Sequence, residues 1–241
     1  MRFLANTGFL FTDLAFPERL DAAAAAGFDG VEFHDELQRH DPPAIADRLA
    51  RLGLAVGSLN MRMGETVGLA ALPGHEAAFA ADLAAAEAAA QAVGARAIHV
   101  LAGRGATDEA TFLANLRRAL AATDRLLLIE PICAQAIPGY HLSRLEHACE
   151  LAERLGPRLR VMFDWYHAAS ELGEKAAAAA LVGHRGLIGH VQAAALPGRN
   201  EPGIDIIARI RAAGFTAVGL EYRPLTDPAH HLAALRRTLA G

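Results

Sequence analysis

The fold of this chain is indicated most clearly by residues 160–167, which read RVMFDWYH. An apolar, strand-like run ends there on Asp164, and His167 follows three residues later. An acid and an imidazole therefore stand where a strand gives way to a loop. Three other strand-like runs end in the same way, on Glu130, Gln192 and Glu221. Oxygen-bearing side chains at successive strand ends predict one shared site.

The rest of the chain alternates short apolar strands with helices. The predicted strands are residues 2–6, 28–33, 54–60, 96–101, 126–131, 159–164, 187–193 and 217–222. The predicted helices are residues 17–26, 42–52, 74–93, 107–122, 142–155, 168–182, 204–213 and 228–239, with Thr107 as an N-cap. This pattern favours a single α/β domain, residues 1–241, folded as a (β/α)8 TIM barrel. An open doubly wound sheet is the alternative, but no Gly-x-Gly-x-x-Gly motif follows the first strand.

Composition narrows the class of protein. The hydrophobic fraction of 53% reflects abundant alanine in helices, and the N-terminus enters a strand rather than a signal-peptide pattern, so we expect a cytoplasmic protein. A net charge of −4 offers no basic face for nucleic acid, and no long uncharged apolar run predicts a membrane segment. Cys133 and Cys149 are expected to be buried, inert thiols. The expected partner is a small molecule, and a homo-oligomer is left open.

The strand-end residues suggest a metal site. Because side chains alternate along a strand, an inward Glu130 implies an inward Leu128, and Met162, His190 and Gly219 would lie beneath the other three. Carboxylates converging in one barrel mouth repel each other unless a cation joins them. Oxygen ligands suit Mg²⁺ or Mn²⁺ best, although Zn²⁺ or Co²⁺ would also fit. For each single residue a local capping role is the alternative, and His190 is expected to be a satisfied core histidine.

Several segments together resemble the hydroxypyruvate isomerase family of the xylose-isomerase-like barrels, which also include sugar epimerases. They are GFDGVEF (27–33), LIEPI (128–132), FDWYH (163–167), GHVQ (189–192), RNEPG (199–203) and EYRP (221–224). The resemblance covers nearly the whole chain in the same order.

The resemblance implies roles for particular residues. The implied ligands of a divalent metal are Glu130, Asp164, Gln192 and Glu221, of which Glu130 and Glu221 would also form the acid/base pair. His167 and Arg199 would hold the substrate, with Glu32 in support. In one departure from the family, the helix at residue 204 begins directly after Gly203, so that a loop bordering the pocket is short. The loop of residues 61–73, with Arg62, Met63 and Glu65, covers the site or forms a surface loop.

The implied reaction interconverts hydroxypyruvate and tartronate semialdehyde, or a close analogue such as a 2-oxo-tetronate. It requires removal of a proton from a hydroxyl-bearing carbon, stabilisation of an enediolate and return of a proton to the neighbouring carbon. Arg199 offers a fork for a substrate carboxylate, which a simple sugar lacks. The alternatives are a ketose 3-epimerase or dehydratase on the same metal site, a zinc endonuclease and a non-catalytic metabolite-binding barrel.

Overall fold

Eight parallel strands close into a barrel, which confirms the predicted (β/α)8 fold and excludes the open sheet. The computed structural model describes residues 1–240, and the side chains of residues 1–239. Each strand pairs with its neighbour in sequence, and the last strand returns to the first with Phe3 opposite Val218. The strands are β1 Arg2–Asn6, β2 Gly30–Phe33, β3 Ala55–Asn60, β4 Ala97–His99, β5 Leu126–Ile129, β6 Leu159–Asp164, β7 Ile188–Ala193 and β8 Ala217–Leu220.

Helices surround the barrel and connect successive strands. They are α1 Phe16–Ala25, α2 Pro42–Leu52, α3 Glu76–Val93, α4 Glu109–Ala122, α5 Leu145–Leu155, α6 Trp165–Leu172, α7 Glu174–Gly183, α8 Ile204–Ala212 and α9 Pro228–Ala240. A short 3₁₀ helix, Glu36–Arg39, precedes α2. The helix after Gly203 begins at once, as predicted.

Two predicted helix boundaries are wrong. Residues 168–182 do not form one helix: the chain breaks at Gly173, whose φ of 82° lies outside the helical region, and α6 already begins at Trp165. Glycine adopts this conformation without the steric cost that other residues incur. The N-cap of α4 is Asp108 and not Thr107, because the Asp108 carboxylate accepts a hydrogen bond from the backbone N–H of Thr111 at 2.7 Å.

The alternation of side chains along the strands separates two apolar regions. Leu128 and Met162 point into the barrel, where they pack with Ala97. Ile129 points the other way, into the large core between the strands and the helices. Full burial of a side chain such as Leu128 is worth about 1.5–3 kcal/mol. The predicted orientation around Glu130 is confirmed, and a small apolar layer lies between the two mouths of the barrel on β4 to β6.

Two predictions from composition can be compared with the structure. Cys133 and Cys149 are both free and buried, as expected. Within residues 1–240, no helix has both the length and the apolar content that crossing a membrane requires.

Candidate active site

A cavity of about 410 Å³ opens at the carboxyl ends of the strands. In a (β/α)8 barrel this end carries the loops that build active sites. Four of the residues singled out in the sequence line it: Glu130, His167, Arg199 and Glu221. Met63 of the loop 61–73 also lines it, whereas Arg62 and Glu65 are exposed.

Three carboxylates converge at this mouth, as the strand ends predicted. Asp164 is the last residue of β6. Glu130 directly follows β5, and Glu221 directly follows β8. All three are at least nine-tenths buried. Burial raises the pKa of Glu130 well above its ordinary value, and the nearby charges of Glu221 and Asp164 raise it further. The three buried carboxyl groups therefore favour a cation or a proton at this mouth.

The guanidinium of Arg199 supplies positive charge between these acids. Its Nη2 atom lies 2.6 Å from Asp164 Oδ2 and 3.2 Å from Glu221 Oε2. Burial alone would lower the pKa of Arg199, but the charges of Asp164 and Glu221 outweigh burial and raise it, so the side chain stays protonated. The same group lies 4.9 Å from the ring centre of Phe9 and 5.0 Å from that of Tyr166.

His167 is a neutral imidazole in contact with Arg199. The NH1 group of Arg199 donates to His167 Nε2 at 3.0 Å. The remaining ring proton is then on Nδ1, which donates to the Cys133 sulfur at 3.3 Å. Burial lowers the pKa of His167 to about 4, and the effect outweighs the opposing charge of Asp164. A neutral His167 can orient its neighbours through hydrogen bonds without adding charge.

Three polar residues at this mouth were not singled out in the sequence. His34 follows β2, and its Nε2 lies 3.2 Å from Glu221 Oε1. His99 ends β4; its Nδ1–H donates to Asn60 Oδ1 at 3.0 Å, and its Nε2 lies 3.7 Å from Glu130 Oε2. Burial lowers the pKa of His99 to about 3. The strand-end rule that found the acids on the later strands could also have found these residues.

Beneath the cavity, Glu32 connects Gln192 with His190. The Gln192 amide Nε2 donates to Glu32 Oε2 at 2.9 Å, and His190 Nε2 contacts Glu32 Oε1. Glu32 occupies space above Gly219, where an added Cβ would lie 2.3 Å from its Oε2. Glu32 is 1% exposed and is not among the described residues that line the cavity. His190 is buried as predicted, but its Nε2 has no hydrogen bond of acceptable geometry among the described residues, so the prediction that it is satisfied is not confirmed.

The residues at this mouth fit a divalent cation. Glu130 Oε1 and Gln192 Oε1 are both buried without a hydrogen-bond partner among the described residues, and both oxygens are suitable ligands. Glu130, Asp164 and His167 each offer a ligand atom, and these atoms lie within 4.8 Å of one another. That group includes His167, to which the family resemblance gave a role in substrate binding. The predicted ligand set of Glu130, Asp164, Gln192 and Glu221 stays a prediction.

Comparison with known proteins agrees with the geometry. A family model described as xylose isomerase-like TIM barrel matches residues 20–239. A 2-oxo-tetronate isomerase from Cupriavidus necator is 35% identical over 92% of this chain and 93% of that protein. The hydroxypyruvate isomerase of Escherichia coli is 34% identical over 94% of this chain and 95% of that protein.

Among solved structures, one named as an AP endonuclease of family 2 from Brucella melitensis has a TM-score of 0.90 and 31% identity, covering 98% of both chains. The family model and the two isomerases each match nearly the full length of the chain, in agreement with the residues quoted from the sequence. The chain belongs to the xylose isomerase-like TIM barrel family, and within it to the hydroxypyruvate isomerase family, whose relatives here include a 2-oxo-tetronate isomerase.

Proposed function

We propose that this protein isomerises a small hydroxy-keto acid by metal-assisted proton transfer. The substrate is hydroxypyruvate, interconverted with tartronate semialdehyde, or a close analogue such as a 2-oxo-tetronate. One observation carries the proposal: Glu130 and Glu221 reach the same cavity from different strands, with Arg199 between the acids. The names of the relatives, which are isomerases of such acids, support it.

The two glutamates supply the acid/base pair. Hydroxypyruvate loses a proton from C3 to one glutamate, and the electrons left behind form an enediolate across C3 and C2. The other glutamate delivers a proton to C2, while the hydroxyl proton leaves O3 as the C3 aldehyde forms and O2 becomes a hydroxyl. Each positioned proton transfer contributes about 10²–10⁴-fold to a rate. Burial, with the charges of Glu221 and Asp164, raises the pKa of Glu130, so this carboxyl takes up a proton more readily than an exposed glutamate does.

A divalent cation held by Glu130, Asp164, Gln192 and Glu221 would supply a Lewis acid for the substrate oxygens. Oxygen ligands favour Mg²⁺ or Mn²⁺, with Zn²⁺ or Co²⁺ as further options. Glu32 prepares the site because it accepts from the Gln192 amide nitrogen and so leaves Gln192 Oε1 free. Glu32 thus acts as a positioning residue and not by touching the substrate.

Arg199 recognises the substrate carboxylate. Its guanidinium now neutralises Asp164 and Glu221, and a bound cation would take over that role. The guanidinium, which lines the cavity, then becomes available for a bidentate contact with the acid. His167 accepts from the same guanidinium and restricts its position. A neutral ketose offers Arg199 no such partner, which favours an acid over a sugar as the substrate.

The test compares two variants with a matched control. Glu130→Gln and Glu221→Gln should each lower kcat for hydroxypyruvate by about 10²–10⁴-fold, because an amide cannot exchange the proton. Glu153→Gln, at an exposed position of α5, should leave kcat unchanged. Circular dichroism checks that each variant is folded. Full activity in both glutamate variants would refute the proposal, and turnover of D-fructose in preference to either acid would favour the 3-epimerase alternative.

An endonuclease function is less well supported, despite the name of the Brucella melitensis structure. The net charge is −4, and the cavity is lined by only two arginines, Arg199 and Arg223, among the residues described. A nucleic-acid site needs several unpaired cations along the phosphate backbone. Arg199 is already paired with carboxylates. Binding to abasic-site DNA at moderate salt would reverse this assignment.

A further inference from the structure

The opposite mouth of the barrel contains two adjoining cavities, of about 330 and 150 Å³. Both lie at the amino ends of the strands, and Arg96, Gly189 and His190 line both of them. Arg160 lines the larger cavity and Arg2 the smaller one. The apolar layer of Leu128 and Met162 lies between these cavities and the candidate active site.

Three of the arginines here have no partner. Within residues 1–240, the side chains of Arg2, Arg96 and Arg160 make no hydrogen bond and no ion pair, and no Asp or Glu is among the residues that line either cavity. Other arginines nearby in the sequence are paired, such as Arg125 with Glu87 at 3.0 Å and Arg158 with Asp124 at 3.7 Å. Arg2, Arg96 and Arg160 therefore face the two cavities without a counter-ion among the described residues.

Gly189 leaves space for the side chain of Arg160 in the barrel. Arg160, Met162 and Asp164 alternate with outward residues on β6, so Arg160 points into the barrel below Met162. A Cβ at position 189 would lie 2.6 Å from the Arg160 Cβ, too close for any other residue without movement. Glycine at 189 therefore allows the arginine to enter the floor of the barrel.

A fourth arginine forms part of the wall. Arg185 donates to the backbone carbonyls of Ala213 at 3.0 Å and Gly214 at 3.3 Å, and it lies 3.9 Å above the ring centre of Phe215. These contacts hold its charge at the rim of the larger cavity. A concave site with several cations and no lining carboxylate suits a compact anion, whereas an extended polymer would meet only the exposed rim.

We propose that the amino-terminal mouth binds a small polyanion, a phosphate or a di- or tricarboxylate, between Arg96 and Arg160. Arg2 and Arg185 add charge at the rim. Guanidinium groups pair with both chemistries through two parallel hydrogen bonds. This site is separate from the proposed isomerase site and does not depend on it.

Isothermal titration calorimetry at constant ionic strength tests the site with inorganic phosphate and, separately, with citrate. We expect a saturable binding component for at least one of them, and the anion that binds identifies the source of the ligand. Arg160→Gln and Arg96→Gln should each weaken this component at least about tenfold, since one charge-assisted contact is worth about that factor. Arg117→Gln removes the same charge from an exposed position of α4 outside both cavities and should leave the component unchanged.

The Arg96 variant and the active-site arginine provide two further checks on this measurement. If Arg160→Gln misfolds, Arg96→Gln, which changes an exposed side chain, still tests the site. Anion binding at Arg199 in the active site would persist in the Arg96 and Arg160 variants and so is distinguishable. The proposal is overturned if neither anion binds, or if the binding that is seen is equally strong in the Arg96 and Arg160 variants.

Discussion

The two mouths of this barrel carry opposite charges and differ in how those charges are satisfied. At the carboxyl end, Asp164 and Glu221 are almost fully buried and share the guanidinium of Arg199. At the amino end, Arg96 is exposed and Arg160 is partly buried, and neither has a counter-ion among residues 1–240. Buried charges require an internal partner because the interior solvates them poorly. Exposed charges are stabilised by water and screened by salt, so they remain available to bind a ligand from solution.

Because their charged groups differ in burial and pairing, the two ends of the barrel suit different functions. Chemistry needs groups with shifted pKa values, and burial produces that shift at Glu130. Binding of an anion needs only accessible, unpaired cations in a concave surface. The apolar layer of Ala97, Leu128 and Met162 lies between the two environments on β4 to β6, whereas Glu32 and His190 form a polar connection between them.

Removal of metal should affect only the carboxyl end, and this is the largest effect that we expect. A chelator should lower isomerase activity by about 10²-fold or more, because the cation supplies several kcal/mol of charge stabilisation. Added Mn²⁺ or Mg²⁺ should restore activity, while phosphate or citrate binding at the amino end stays unchanged. Undiminished activity after exhaustive chelation would contradict the metal-assisted mechanism.

The Gln192→Leu variant tests the contribution of one proposed metal ligand at the carboxyl end. It should raise the metal concentration needed for half-maximal activity, since a buried oxygen ligand is lost. Gln135→Leu, which changes a residue that lines the cavity but is not a proposed ligand, should leave that concentration unchanged.

The apolar layer between the mouths should be sensitive to truncation. Met162→Ala is expected to lower the free energy of unfolding by about 2–5 kcal/mol, because Met162 is 1% exposed and its loss leaves a cavity between two polar regions. Urea denaturation monitored by circular dichroism measures the change. A loss below about 0.5 kcal/mol, the range of ordinary surface substitutions, would show that the layer is not a packed barrier.

A smaller effect is expected from acidification at the carboxyl end. The pKa of His99 is about 3 in the fold, below its ordinary value of 6.5, because burial disfavours the charged ring. The unfolded chain therefore binds a proton between these values that the folded protein does not, and stability falls as the pH decreases below 6.5. Between pH 7 and pH 5 the loss from this group is on the order of 2 kcal/mol.

The His99→Gln variant provides the comparison for that measurement. The free energy of unfolding should change less between pH 7 and pH 5 in the variant than in the parent protein. An equal change in both proteins would mean that His99 carries a proton in the fold.

Much of the fold could be predicted from the sequence because it depends on local patterns. Apolar runs and punctuating glycines place most strands and helices within a few residues of their positions. The single predicted helix 168–182 was wrong because its alanine content is helical throughout and only the conformation of Gly173 interrupts it. Side-chain alternation correctly placed Leu128 and Met162 inside the barrel.

The contacts within the site could not be predicted in the same way. The ion pair of Arg199 with Asp164 joins residues 35 positions apart, and the Gln192 hydrogen bond to Glu32 spans 160 positions. These contacts depend on barrel closure and on the path of the loop that carries Arg199, which adopts a φ of 56°. Strand-end position can identify which residues meet, but not which of them pair.

Deuterium incorporation tests whether Glu130 and Glu221 transfer protons between adjacent carbons of a hydroxy-keto acid. Hydroxypyruvate is turned over in D₂O, the aldehyde is trapped at once as its oxime, which NMR distinguishes from the oxime of unreacted hydroxypyruvate, and the deuterium content at C2 is measured. We expect one solvent deuterium at C2 with the parent protein, and no enzyme-dependent product with Glu130→Gln or Glu221→Gln. Product in which C2 carries the hydrogen that was on C3 of hydroxypyruvate would indicate a hydride shift and would contradict proton transfer by the two glutamates.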